Sequence, residues 1–165
     1  MNKRTRQYIG LLLTIISYYM IHEGAHLLYA LSIGTFKQIN VTWLGMQIDV
    51  YADKMTQNQM GIFCLLGFVA TAIISYILVA LTSKIAESKS KLFKACMYYV
   101  TISLLFLDPL YLSVLCGFFG GGDMNGISLL IPEGIARLGF GIILGINIAI
   151  FLKIVYPRYK LSFEK

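Results

Sequence analysis

Charge is what this sequence has least of. Only 13% of its 165 residues are charged, against 58% hydrophobic, and the mean hydropathy is +0.73. That balance excludes an ordinary soluble domain. The net charge of +6 does not point to nucleic acid, because the basic residues sit in clusters beside apolar segments rather than along a face with interleaved aromatics. Cysteine is scarce too: Cys64, Cys96 and Cys116 lie in apolar stretches without CxxC or CxxxC spacing. A disulfide framework and a thiolate zinc site are therefore not indicated, and these residues read as packing. The chain shows no internal repeat, no low-complexity tract and no room for a separate soluble domain.

Long apolar runs are what it does have. Four segments, at about 8–31, 60–82, 92–119 and 138–156, are long enough to cross a bilayer. The expected fold is an all-α membrane protein: a single domain, a bundle of about four transmembrane helices. Its start, MNKRTRQYIGLLLTII, looks like a secretory signal but runs on past signal length, so it reads as an uncleaved first span. The third segment is too long for one straight helix and contains Asp108-Pro109, so a kink, break or re-entrant path is expected near its middle.

Lys3, Arg4 and Arg6 precede the first span, Lys84, Lys89, Lys91 and Lys94 fill the connection between the second and third, and Lys153, Arg158, Lys160 and Lys165 end the chain. The positive-inside rule then places both termini and the middle connection in the cytoplasm. Between the first two spans, residues 36–51 alternate. Ile39, Val41 and Trp43 stand on one side of a Leu44-Gly45 turn and Met46, Ile48 and Val50 on the other, which predicts a two-stranded hairpin.

The chain's only two histidines lie inside the first span, in His22-Glu23-Gly24-Ala25-His26. Positions four apart share a helix face, so two imidazoles in HExxH can bind one zinc ion while the glutamate beside the first serves as general base. A bland reading, a polar cluster that joins helices by hydrogen bonds, must carry a carboxylate costing about 2.5–3.5 kcal/mol in the apolar phase. A catalytic zinc takes three protein ligands. With no further histidine, the third must be a carboxylate, either Asp108 in LFLDPLYLS or Asp123 in GFFGGGDMNGI. Depth favours Asp108, since His22 and Asp108 lie at about the same height if both helices are straight, some 21 Å along the first span. Against this, Pro109, Gly117 and the Gly120-Gly121-Gly122 run argue that the helix is not straight and allow an irregular backbone to line a cavity, so either aspartate could reach the metal.

HEGAH in the first span, the hairpin-like connection after it, and a later span ending in a Gly-rich motif with an aspartate together resemble the site-2 protease family of intramembrane zinc metalloproteases. The resemblance implies that His22 and His26 bind zinc, that Glu23 is the general base and that Asp123 is the third ligand. Asp108-Pro109 would stand roughly where the family has an upstream Asn-Pro element. Asp123 is followed by Met124-Asn125-Gly126 rather than directly by glycine, and Asn125 is a candidate for a substrate or oxyanion contact. The implied activity is peptide-bond hydrolysis in the bilayer, on transmembrane protein substrates, with residues 36–51 supplying an edge strand that holds the substrate extended. Two other readings stand beside it. One is a prenyl-protein-type membrane zinc protease, which needs a further glutamate ligand on a later helix; Glu87, in the middle connection, and Glu133, just past the Gly-rich turn, both fall outside the expected spans. The other is a non-catalytic metal-binding membrane protein or carrier subunit.

Overall fold

Helix α1 runs Lys3–Ser32, opened by the Asn2 side chain, which accepts the Thr5 N–H at 2.8 Å. It closes in a Schellman arrangement, with Gly34 N–H on Leu31 O and Thr35 N–H on Ala30 O. Strands β1 (Phe36–Thr42) and β2 (Gly45–Val50) pair antiparallel in the expected hairpin, with Ile39 opposite Ile48 and Val41 opposite Met46, and a bulge near Phe36. In the computed structural model of the chain, residues 1–42, 45–119 and 122–164 are described. Trp43 and Leu44, which the sequence pattern assigns to the hairpin, Gly120 and Gly121, and Lys165 lie outside the described residues.

Helix α2 (Gln57–Ala80) begins at a capping box between Thr56 and Gln59. A short α3 (Thr82–Ala86) leads to α4 (Lys91–Ser113), capped by Ser90. After a 3₁₀ turn at Leu115–Gly117 come the five-residue α5 (Asp123–Ile127) and then α6 (Glu133–Ile150). A π-helical turn at Phe151–Val155 joins α6 to α7 (Tyr156–Glu164). Four helices are long and apolar enough to cross a membrane: Lys3–Ser32, Gln57–Ala80, Lys91–Ser113 and the composite Glu133–Glu164. The last begins earlier than hydropathy suggests, because Glu133 and Arg137 pair one turn apart at 3.3 Å and extend the helix into charged sequence.

The third segment differs from expectation in where it breaks. Helix α4 runs through Asp108-Pro109 and stops only at Ser113. Proline has no N–H to give to the carbonyl four residues earlier. Here Asn147 Nδ2 of α6 donates to that carbonyl, Leu105 O, at 2.6 Å, and Tyr76 Oη of α2 donates to Asn147 Oδ1 at 2.9 Å. Further on, Arg137 Nε donates to Ser113 O at 3.1 Å, satisfying one of the carbonyls that the helix end leaves open.

Polarity is arranged the opposite way from a water-soluble protein. Leu12, Ile15 and Met20 of α1, Ile73 and Ile77 of α2, and Leu138, Ile142 and Ile146 of α6 are exposed, while Thr71, Ser75, Thr101, Asp108 and Asn147 are buried. So extended an apolar exterior marks contact with lipid or with partner surfaces. Two apolar clusters fill the interior. One holds Phe63, Cys64, Leu112, Cys116, Met124 and Phe140; the other holds Val79, Ile85, Leu105, Val155 and Tyr159. All three cysteines are buried and free, consistent with a packing role.

Candidate metal centre

The buried face of α1 carries His22, Glu23, His26 and Ala30, a stripe at helical spacing. Three neighbours turn this stripe into a site. From α2, the Phe63 carbonyl lies 2.7 Å from His26 Nδ1. A carbonyl only accepts, so Nδ1 carries the proton and Nε2 presents a lone pair. From α4, the Asp108 carboxylate lies 3.2–3.3 Å from His22 Nδ1. Asp108 is 2% exposed and also accepts the hydroxyls of Tyr18 and Thr71, so α1 gives it two partners and α2 a third. A carboxylate on one imidazole nitrogen fixes the tautomer and frees the other nitrogen as a ligand.

The third neighbour is Asp123 at the start of α5. Its Oδ2 lies 3.1 Å from His22 Nε2 and 3.6 Å from His26 Nε2, and those two nitrogens are 3.2 Å apart. One proton can lie along only one of these three edges, whereas a cation between the atoms meets all of them. Ligand atoms bound tetrahedrally at about 2.0 Å from a zinc ion lie about 3.3 Å from one another, so the donor set fits. His22, His26 and Asp123 thus form a group that could hold a metal ion. Asp123 lies between the long helices. Burial acts to raise its pKa, but the hydrogen bonds and positive potential of His22 and His26 outweigh this and hold it below the usual carboxylate range.

Local sequence explains how Asp123 arrives there. Gly122 turns the chain with φ +44, a conformation that suits glycine, just before α5. Gly126 then lets α5 lie directly against Cys64 of α2, where a Cβ would collide with the Cys64 side chain. Behind the triad, α2 passes at Gly67, where a Cβ would sit 2.5 Å from His22 Cε1 and 2.7 Å from His26 Nε2. Gly67, Tyr18, Thr71 and Phe63 were not singled out from sequence. Gly67 belongs to α2, a helix with no charged residue of its own, and only its smallness within an apolar run marks it.

Glu23 is buried, and its Oε2 accepts the Ile48 N–H of β2 at 3.2 Å, so the hairpin is tied to α1 beside the triad. Two cavities of about 260 and 240 Å³ flank this contact, and Glu23, Gln47, Tyr111 and Asp123 line both. Asn125 is exposed on α5 and is not among the residues lining either cavity. Glu133 pairs with Arg137, and Glu87 lies beside Lys89 in a different cavity, so neither approaches the triad. Compared with models of known families, with curated proteins and with solved structures, the chain matches none.

Proposed function

We propose that this chain is a membrane-embedded zinc metalloprotease that cleaves a peptide bond within or near a transmembrane segment of its substrate, as its resemblance to the site-2 protease family implies. The observation that carries the reading is the convergence of His22 Nε2, His26 Nε2 and Asp123 Oδ2 at 3.1–3.6 Å, with a buried glutamate next to the first histidine. A prenyl-protein-type site is disfavoured, since the carboxylate beside the two histidines is an aspartate and not a glutamate.

When bound, zinc supplies Lewis acidity, which polarises a carbonyl and makes water nucleophilic near neutral pH. His22, His26 and Asp123 would hold it. Glu23 takes the proton of the attacking water as the C–O bond forms, and returns it to the nitrogen as the C–N bond breaks. Ile48 N–H steadies Oε2 of that carboxylate, leaving Oε1 to carry the proton. Strand β2 borders the cleft and offers main-chain groups to an extended substrate. Asp108 holds the His22 ring in the tautomer that this chemistry needs. The apolar exterior and the four long helices support insertion in a bilayer, and the basic ends support a cytoplasmic location for both termini.

Glu23→Gln is the decisive variant, because a glutamine oxygen still accepts from Ile48 N–H while no longer acting as a base. Membrane-protein fragments from cells producing wild type and from cells producing Glu23→Gln are compared by terminal labelling and mass spectrometry. Cuts inside transmembrane segments that vanish with Glu23→Gln are expected. Identical fragments from both, with zinc still bound, would make the chain a metal-binding protein without protease activity.

A further inference from the structure

The end of the molecule away from the triad gathers cations. Lys94, in the first turn of α4, is withdrawn into the protein at 6% exposure. Its Nζ donates to Ser162 O at 2.7 Å and lies 5.5 Å from the centre of the Phe163 ring. An ammonium has three N–H donors, and this hydrogen bond uses one. Among the described residues no carboxylate pairs with it. A buried charge without a counter-ion is costly, and residues serving only as topology signals have no need to be buried.

Lys94 lines a cavity of about 630 Å³ together with Lys89, Lys91 and Arg158, against a single carboxylate, Glu87. None of these groups is in an ion pair among the described residues. Lys91 also borders a neighbouring cavity of about 380 Å³, where Lys3 and Arg6 lie close to Tyr98, Tyr99 and Phe163.

We propose that the larger cavity binds an anionic phosphate group, supplied by the headgroup of an anionic phospholipid. Four cations drawn from α4, α7 and the connection before α4 meet one anion, so the cavity has donors and positive charge to spare. The neighbouring cavity, lined by Lys3, Arg6 and Lys91 together with Tyr98, Tyr99 and Phe163, offers both charge and aromatic surface, which suits the join between a headgroup and its acyl chains and favours lipid over free phosphate. The lipid source rests on the membrane reading above; the phosphate chemistry does not, and neither depends on protease activity.

The test uses the full chain, delipidated in detergent and then placed in nanodiscs of phosphatidylcholine with or without about 20% phosphatidylglycerol, with bound lipid counted by native mass spectrometry. Phosphatidylglycerol is expected to be retained in preference to phosphatidylcholine. The exposed-residue variants Lys89→Gln and Arg158→Gln should each weaken that preference about fivefold. Lys94→Met should remove most of it, and its zinc content and melting curve report whether it has folded. Inorganic phosphate, titrated against thermal unfolding in detergent, separates the sources. Stabilisation by phosphate without any lipid preference would uphold the phosphate chemistry and overturn the lipid. No preference and no stabilisation, or a preference unchanged in Lys89→Gln/Arg158→Gln, would overturn the proposal.

Discussion

Helix α4 buries a charged side chain towards each end, and the two are treated in opposite ways. Asp108 receives three donors from two helices: the Tyr18 hydroxyl and His22 Nδ1 of α1 and the Thr71 hydroxyl of α2. Among the described residues Lys94 meets one carbonyl and no carboxylate. Beyond Asp108 the imbalance reappears with reversed sign, because His22, His26 and Asp123 present acceptor atoms with too few protons to share. On the two proposals above, one end of the molecule takes a cation and the other an anion. Complete hydrogen bonding marks a positioning role, and incomplete bonding marks a place for a ligand.

Substitutions can break or sharpen that contrast. The largest effect is expected at Glu23→Gln, with proteolytic rate falling about 10²–10⁴-fold while metal stays bound; parallel activity and metal assays check this. Gly67→Ala should come next. It drives a methyl group against both imidazoles, and ångström-scale displacement of catalytic groups costs about 10²-fold in rate, with metal content falling and helix content by circular dichroism unchanged. An unaltered Gly67→Ala protein would mean that the imidazoles do not have to stand where they do.

Asp108→Asn tests the claim that this residue positions and does not ligate. An asparagine oxygen still accepts from His22 Nδ1, so zinc affinity measured by chelator competition should fall only about 10–100-fold. Complete loss would put Asp108 among the ligands. Smallest is Asn147→Leu, which leaves the Leu105 carbonyl unpaired beside Pro109. We expect about 1–3 kcal/mol lower stability in thermal or denaturant unfolding, with zinc content unchanged.

Much of this was legible in the sequence, though unevenly. HEGAH carried its own geometry, because i and i+4 share a helix face, and the alternation over residues 36–51 forecast the hairpin but not its register: a Leu44-Gly45 turn would set Val41 opposite Ile48, whereas Val41 faces Met46 and Gly45 opens β2. Depth correctly brought Asp108 level with His22. It could not tell which ring nitrogen Asp108 would meet, since that depends on helix rotation and on a second aspartate arriving through an irregular turn. Asp123 was named from the family resemblance, but its placement rests on Gly122 and Gly126, after α4 has ended at Ser113. The helix continues through Asp108-Pro109 and breaks after Ser113 instead, and the Asn147 bond to the Leu105 carbonyl, from 38 residues beyond Pro109, exists only once the helices pack. A lone asparagine in GINIAI was the available signal.

The most direct measurement is the zinc content of the purified chain and its carboxylate variants, after exchange into metal-buffered detergent. About one zinc per chain is predicted for wild type and for Glu23→Gln, none for His26→Ala or Asp123→Ala, and retained but weaker binding for Asp108→Asn. Zinc kept by Asp123→Ala and lost by Asp108→Asn would contradict the triad and move the metal to the other side of the His22 ring.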